Sequence, residues 1–330
     1  MKEISQYGKS ALLERLNAQF DFARDSTLAV GNRAFASSPD GENAQIVATG
    51  LFVEGIHFNP VYTPLKHLAY KTVTSVVSDI IAMNGRPLRL AVSLAVSSRF
   101  GVEELETLYG GFRAACLDYE LELAGNDLVS STSGMTVSLA CTGEARPDEL
   151  RSPAGAQTND LVCISGSLGA ACMGLQILER ERRIFESSPG TQPKLDGYDY
   201  VLRRQLHPAA RSDMRELFAS TGATPSAMIA LDEGLSAGIL QICRRSGTGA
   251  RIYIEKIPIA AETFAVCEEL NYDAVAAAMN GGDDFELLFT VPLSCYEKIR
   301  NLGGFEIIGH IVAPELGAHI VTPEGAEIEL

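Results

Sequence analysis

The sequence predicts an α/β protein in two domains, and three observations carry that expectation. Strand-like apolar runs alternate with helical apolar stripes along both halves of the chain. Between the halves, Gly143 to Asn159 carries Gly, Pro, Arg and Asp with no apolar period, which sets domains at 1–147 and 148–330. A chain of 330 residues is also long enough for each domain to bury its own core.

Taken in order, Leu12, Leu13, Leu16 and Phe20 recur at helical spacing. Residues Ala44 to Phe52 (AQIVATGLF) read as a buried strand. Thr63-Pro64 opens a helix, with Thr as N-cap and Pro at the first helical position. That helix buries Leu65, Leu68, Val73, Val76, Val77, Ile80 and Ile81 and stops at Asn84-Gly85. A strand (88–96), a helix (102–119), a short strand (121–124) and a longer one (135–142) complete the first half. The second half opens with a strand at 161–165, a glycine turn (Gly166 to Gly169) and a helix at 170–180. Helices at 200–206, 209–220, 235–245 and after Ala260 follow, with strands at 251–255, 285–291 and 305–312 and a polar loop at 186–196.

Hydrophobic residues make up 46% and charged residues 21%, the balance of a globular chain. A net charge of −15 with no basic run excludes a nucleic-acid-binding face. Seven cysteines form no CxxC pair, and several lie in apolar runs, as Cys163 does, which reads as reduced, buried thiols. The start MKEISQYGKS has no apolar signal region and no stretch approaches a membrane span, so a cytoplasmic protein is expected.

Six segments carry acids, glycines and aromatics at loop ends. They are Gly31–Phe35 (GNRAF), Thr49–Phe58 (TGLFVEGIHF), Ser78–Pro87 (SDIIAMNGRP), Gly125–Asp127 (GND), Ala230–Leu235 (ALDEGL) and Gly281–Thr290 (GGDDFELLFT). In this order and spacing they resemble the thiamine-monophosphate kinase family, which belongs with the aminoimidazole-ribonucleotide and selenophosphate synthetases. The resemblance implies an N-terminal α/β sheet domain that pairs in a homodimer and a C-terminal three-layer α/β domain. It also implies ATP-dependent phosphorylation of thiamine monophosphate to thiamine diphosphate, with Mg2+ holding the phosphates.

Carried over residue by residue, the resemblance assigns Asp79, Asp127, Asp232 and Glu233 to metal, the last three also as catalytic. It assigns Arg33, Gly125, Asn126 and Arg151 to nucleotide or phosphate. It assigns His57, Phe58, Asp283, Asp284 and Phe285 to substrate. The chain departs from the family at several acids. Asn32 and Arg33 stand for an Asp pair, Gly50 for the Asp of "TTD", and Ala230 for the first Asp of "DxSD". Asp232 and Glu233 replace that motif's Ser and second Asp, and only Asp79 and Asp127 are unchanged. Pro153 stands where the family has Arg, with Arg151 nearby, and with no Trp the family's aromatic tail is absent.

Magnesium wants an octahedron of oxygen donors, so each lost carboxylate removes both a ligand and charge balance. Removing one oriented electrostatic group costs on the order of 10²–10³ in rate. The expected function is therefore a thiamine-monophosphate kinase-like protein with weak or lost activity. The alternatives are a non-catalytic ligand-binding or dimerising relative of a true kinase, and a kinase for another small phosphorylated substrate.

Arg33 has two readings: a guanidinium standing in for lost magnesium against phosphate, or a solvated loop residue with no contact. Asp79 follows an apolar stripe, where an unpaired carboxylate is costly. Asp127 also reads as an Asx-type turn residue, and Asp232 and Glu233 as capping acids. The Gly166–Gly169 turn suits either phosphate or tight packing, and His207 and Arg211 read as helix-capping residues.

Overall fold

The computed structural model describes residues 12–13, 15–16, 19, 27–30, 33–38, 42–188 and 190–330. Leu12, Leu13 and Leu16 are helical, while the predicted Phe20 and the motif residues Gly31 and Asn32 lie outside the described residues. The first half runs β1 (Thr27–Val30), β2 (Ala34–Ser37), β3 (Ala44–Val53), α1 (Leu65–Ala82), β4 (Arg86–Val96), α2 (Val102–Asp118), β5 (Glu122–Ser130) and β6 (Met135–Ala145). Its six strands form one sheet in the order β1-β2-β3-β6-β4-β5. Only β4 and β5 are parallel, as the connection through α2 requires.

Helix α1 packs on one face of this sheet with α2 against it, and the outward residues of β3 on the other face are exposed. Strand β3 is therefore half buried, not fully buried as its composition suggested. Ala44, Ile46, Ala48 and Gly50 point to the helices, and Gln45, Val47, Thr49 and Leu51 point out. Gly50 sits where a Cβ would lie 2.8 Å from Val76 Cγ1 and 2.9 Å from Phe52 Cε2. Helix α1 starts at Leu65 with Pro64 as N-cap, and no side chain caps it; the predicted cap, Thr63, is buried instead.

Helix α1 also packs against the second half, touching β8 as well as β3, β4 and β6. It is consequently buried nearly all round from Leu68 to Ala82, polar residues included. Two of those polar groups bond inside: Thr72 donates to Ala69 O and Thr74 to Pro208 O, while Ser78 Oγ is buried without a hydrogen bond.

The second half runs β7 (Leu161–Ser165), α3 (Ala170–Ser187), α4 (Asp199–Leu206), α5 (Asp213–Thr221), β8 (Ala227–Ala230), α6 (Leu235–Ser246), β9 (Gly249–Tyr253), α7 (Ala261–Leu270), α8 (Ala274–Asn280), β10 (Leu287–Val291), α9 (Tyr296–Ile299), β11 (Phe305–Val312), β12 (Ala318–Val321) and β13 (Glu327–Glu329). A seven-stranded sheet orders as β13-β12-β9-β11-β7-β10-β8. Both faces are buried at β7, β10 and β8. Val162, Ile164 and Leu288 pack with Leu235, Ile239 and Ile242 of α6 on one side. Cys163, Leu287 and Phe289 join Met214 and Phe218 of α5 and the first-half core on the other. The cysteines are free thiols, and burial pushes Cys141 up to about 12.

Candidate functional site

Two loops of the second half lie side by side at the junction with α1. The segment Gly281–Glu286 lies against the turn after β8: Asp283 N donates to Asp232 O at 3.0 Å, and Phe285 N to Leu231 O at 2.9 Å. The contact demands glycine at 282, where a Cβ would come 2.6 Å from Asp232 O. Asp283 and Phe285 both hold positive φ, 58° and 53°, a strained state for residues bearing a Cβ.

This backbone sends alternate acids in different directions. Asp284 turns inward and accepts from Gly169 N (2.7 Å) and Ala171 N (3.3 Å), so it occupies the N-terminus of α3. Of the two readings for the Gly166–Gly169 turn, internal packing therefore holds. Burial raises the Asp284 carboxyl to about 6, against the pull of Arg204 and the two amides. Glu286, also buried, accepts from Ser165 Oγ at 2.7 Å, Arg204 Nη2 at 2.9 Å and Arg211 Nη1 at 2.8 Å. Arg211 thus braces Glu286 as well as Asp213, and His207, at the end of α4, stacks on Tyr70 with ring centres 3.7 Å apart.

Asp283 points the other way. Its carboxylate meets Lys71 Nζ of α1 at 2.9 Å, and Lys71 also donates to Gln205 Oε1 at 3.0 Å. Above this pair opens a cavity of about 470 Å³ with Phe52, Phe58, Tyr62 and Phe285 in its walls and Glu179 and Arg182 at its side. Asp283, His57, Phe58 and Phe285, all assigned to substrate from the sequence, line this cavity. The exposed His57 is fixed by accepting Val53 N at Nδ1, 3.1 Å.

A second cluster holds the acids assigned to metal. Arg33, immediately before β2, reaches across α1: Nε donates to Asp79 Oδ2 at 3.0 Å and Nη2 to Ser75 Oγ at 3.0 Å. The same Nη2 lies 2.9 Å from Asp79 Oδ2 and 3.3 Å from Asp232 Oδ2. Asp79 is only 2% exposed, so its charge needs such a partner. Burial opposes the guanidinium charge, but Asp79 and then Asp232 outweigh it, and Arg33 is held above its ordinary value. Arg33 is no solvated loop residue, and Asp232 faces Arg33 while Gly234 takes the N-cap of α6.

The remaining assigned residues are Gly125, Asn126, Asp127, Arg151 and Glu233. Asp127 is not in a turn. It lies within the exposed edge strand β5, paired with Ser93 of β4, and Gly125 and Asn126 share that strand. Arg151 donates to the backbone of its own loop, at Leu150 O and Asp148 O, and Glu233 is exposed.

The magnesium implied by the resemblance does not fit these residues. Among the described residues no group of three or more His, Cys, Asp or Glu could hold a metal ion. Asp79 and Asp232 are brought together, but the cation between them is Arg33.

Sequence reasoning missed Lys71, Gln205, Tyr62, Glu179 and Arg182. Lys71 left one signal, a cation between the stripe residues Leu68 and Val73.

Comparison with known proteins places the geometry among relatives. The family described as AIR synthase related protein, N-terminal domain, matches residues 31–145. A thiamine-monophosphate kinase of Aquifex aeolicus is 30% identical over 247 residues, 75% of this chain and 76% of that one. One from Synechococcus elongatus is 28% identical over 94% of this chain and 90% of its own. Among solved structures, "AaThiL complexed with AMPPCP and TMP" superposes with a TM-score of 0.84 at 24% identity, covering 100% of this chain and 97% of that one. No helix among the described residues is long and apolar enough to cross a membrane.

Proposed function

Because this chain belongs to the thiamine-monophosphate kinase family, we propose that its cavity binds thiamine monophosphate, and that the chain is a kinase-like protein whose phosphoryl transfer is weak or lost. One observation carries the binding reading: aromatic walls, acids and cations converge where Lys71 and Asp283 join the two halves. Thiamine monophosphate has a cationic thiazolium ring, a flat pyrimidine and a terminal phosphate. Phe52, Phe58, Tyr62 and Phe285 offer ring faces and edges to the two heterocycles. Glu179 and Asp283 complement the ring charge, and Lys71 and Arg182 take the phosphate oxygens. Phe58 and Phe285 are already buried, so little ordering is needed on binding.

ATP belongs to the same reading, since a family relative was solved with AMPPCP and TMP together. Gly125, Asn126 and Asp127 then serve it from the open edge strand β5. That edge and the outward face of β3 expose Leu128 (59%), Val129 (53%) and Leu51 (59%), which supports pairing with a second copy of the chain. Two features support weak or absent transfer: Gly50 has no room for an acid, and Arg33 fills the gap between Asp79 and Asp232.

The test is a calorimetric titration with thiamine monophosphate beside an ADP-release assay with ATP. Saturable binding of thiamine monophosphate with little or no ADP release is the expected outcome. Absence of binding rejects the cavity assignment, and brisk ADP release rejects the loss of transfer.

A further inference from the structure

The two acids that meet at the junction of the halves already hold a cation, and it belongs to the chain. Arg33 bonds Asp79 through Nε and Nη2, Ser75 through Nη2, and lies 3.3 Å from Asp232. Ser75 and Asp79 lie one turn apart on α1, so both face the same guanidinium. Asp232 comes from the opposite half, so Arg33 ties the halves together where a bound metal would. A divalent ion entering here would have to expel the guanidinium or sit beside it against its charge. The planar fork of N–H donors also matches phosphate oxygens, which a free carboxylate pair would repel.

We propose that Arg33 is a built-in replacement for the divalent cation, so that phosphorylated ligands bind at this site without metal. The inference rests on the proposed binding of thiamine monophosphate and ATP for its ligands, but the cation replacement itself is independent of them. Arg33 offsets one of the two carboxylate charges before ligand arrives, and chelators leave binding intact.

Two measurements on the full chain test this. In the first, free Mn2+ is followed by electron paramagnetic resonance during titration into the wild type, Arg33→Ala and Arg33→Lys. The wild type and Arg33→Lys are expected to leave Mn2+ free, and Arg33→Ala to bind it at least about tenfold more tightly. Stoichiometric Mn2+ binding by the wild type overturns the proposal, as does a folded Arg33→Ala that leaves Mn2+ free. If Arg33→Ala fails to fold, the wild type and Arg33→Lys still decide. In the second, thiamine monophosphate and a non-hydrolysable ATP analogue are titrated calorimetrically with EDTA and with Mg2+. Dissociation constants within about threefold of each other are expected, and a loss beyond about tenfold in EDTA overturns metal independence. If neither ligand binds under either condition, the ligand assignment falls with metal-free ligand binding, and the Mn2+ titration separately decides the cation replacement.

Discussion

Lys71 and Asp283 meet at 2.9 Å across the junction between the first-half helix α1 and the strained segment before β10. Asp283 holds φ at 58°, and its amide is pinned to Asp232 O, so the carboxylate has little freedom to turn away. The pair is thus a fixed charged floor to the cavity, with Asp283 still 43% exposed.

Lys71→Ala is expected to weaken thiamine monophosphate binding by about tenfold, the effect of one lost charge-assisted contact. Stability should fall by no more than about 1 kcal/mol, because the pair is partly solvated. Calorimetry and urea unfolding on the same preparation separate the two effects. A large stability loss with unchanged affinity would make the pair structural.

Glu286 is a different case from Asp283, three residues away. It is 3% exposed, with Arg204 on one oxygen and Arg211 on the other. Removing one partner of such a buried cluster leaves uncompensated charge, so Glu286→Ala should cost about 3–5 kcal/mol in urea unfolding. Glu286→Gln keeps acceptor and shape and should cost less. Equal losses in both variants would mean that charge is not what holds the segment.

Much of this fold is legible in the sequence because its signals are local. The stripe from Leu65 to Ile81 and the breakers Asn84-Gly85 fix α1 to within a residue or two, and Leu161–Ser165 is found as written. The failures also have physical reasons. Ala124-Gly125-Asn126-Asp127 reads as a turn, yet an edge strand paired on one side accepts such residues, and β5 runs on to Ser130. Strand β8 is four residues long, too short for a period. The cavity lining at His57, Phe58, Asp283 and Phe285 was reachable from motifs. The Arg33–Asp79 contact spans 46 residues and the Lys71–Gln205 bond 134, and no local pattern encodes such pairings.

Gly50→Asp restores the family's acid in name only. A Cβ at 50 would already lie 2.8 Å from Val76 Cγ1, inside the layer between β3 and α1. Overpacking of this kind costs about 1–3 kcal/mol, and a carboxylate in that layer adds a desolvation cost. The variant is expected to melt at a lower temperature and to gain no Mn2+ affinity. A stable Gly50→Asp protein that bound Mn2+ would show that the layer can open to make a metal site.

Asp284 gives the chain an unusual acid response. Burial lifts its carboxyl from 3.8 to about 6, despite Arg204 and the amides of Gly169 and Ala171. Between these values the native state keeps a proton that the unfolded chain has released, so the free energy of unfolding falls as pH rises through the window. The contribution is fully present below about pH 4 and lost above about pH 6. A shift of this size corresponds to roughly 3 kcal/mol at most. Ordinary carboxylates, depressed by partners such as Arg211 at Asp213, slope the other way. Asp284→Asn cannot titrate, yet its amide oxygen can still accept from Gly169 N at the start of α3. Urea unfolding at several pH values should therefore give the variant a more positive slope than the wild type between about pH 4 and 6. Parallel profiles for the two proteins would mean that Asp284 is ionised throughout and stabilised by Arg204 and the helix terminus.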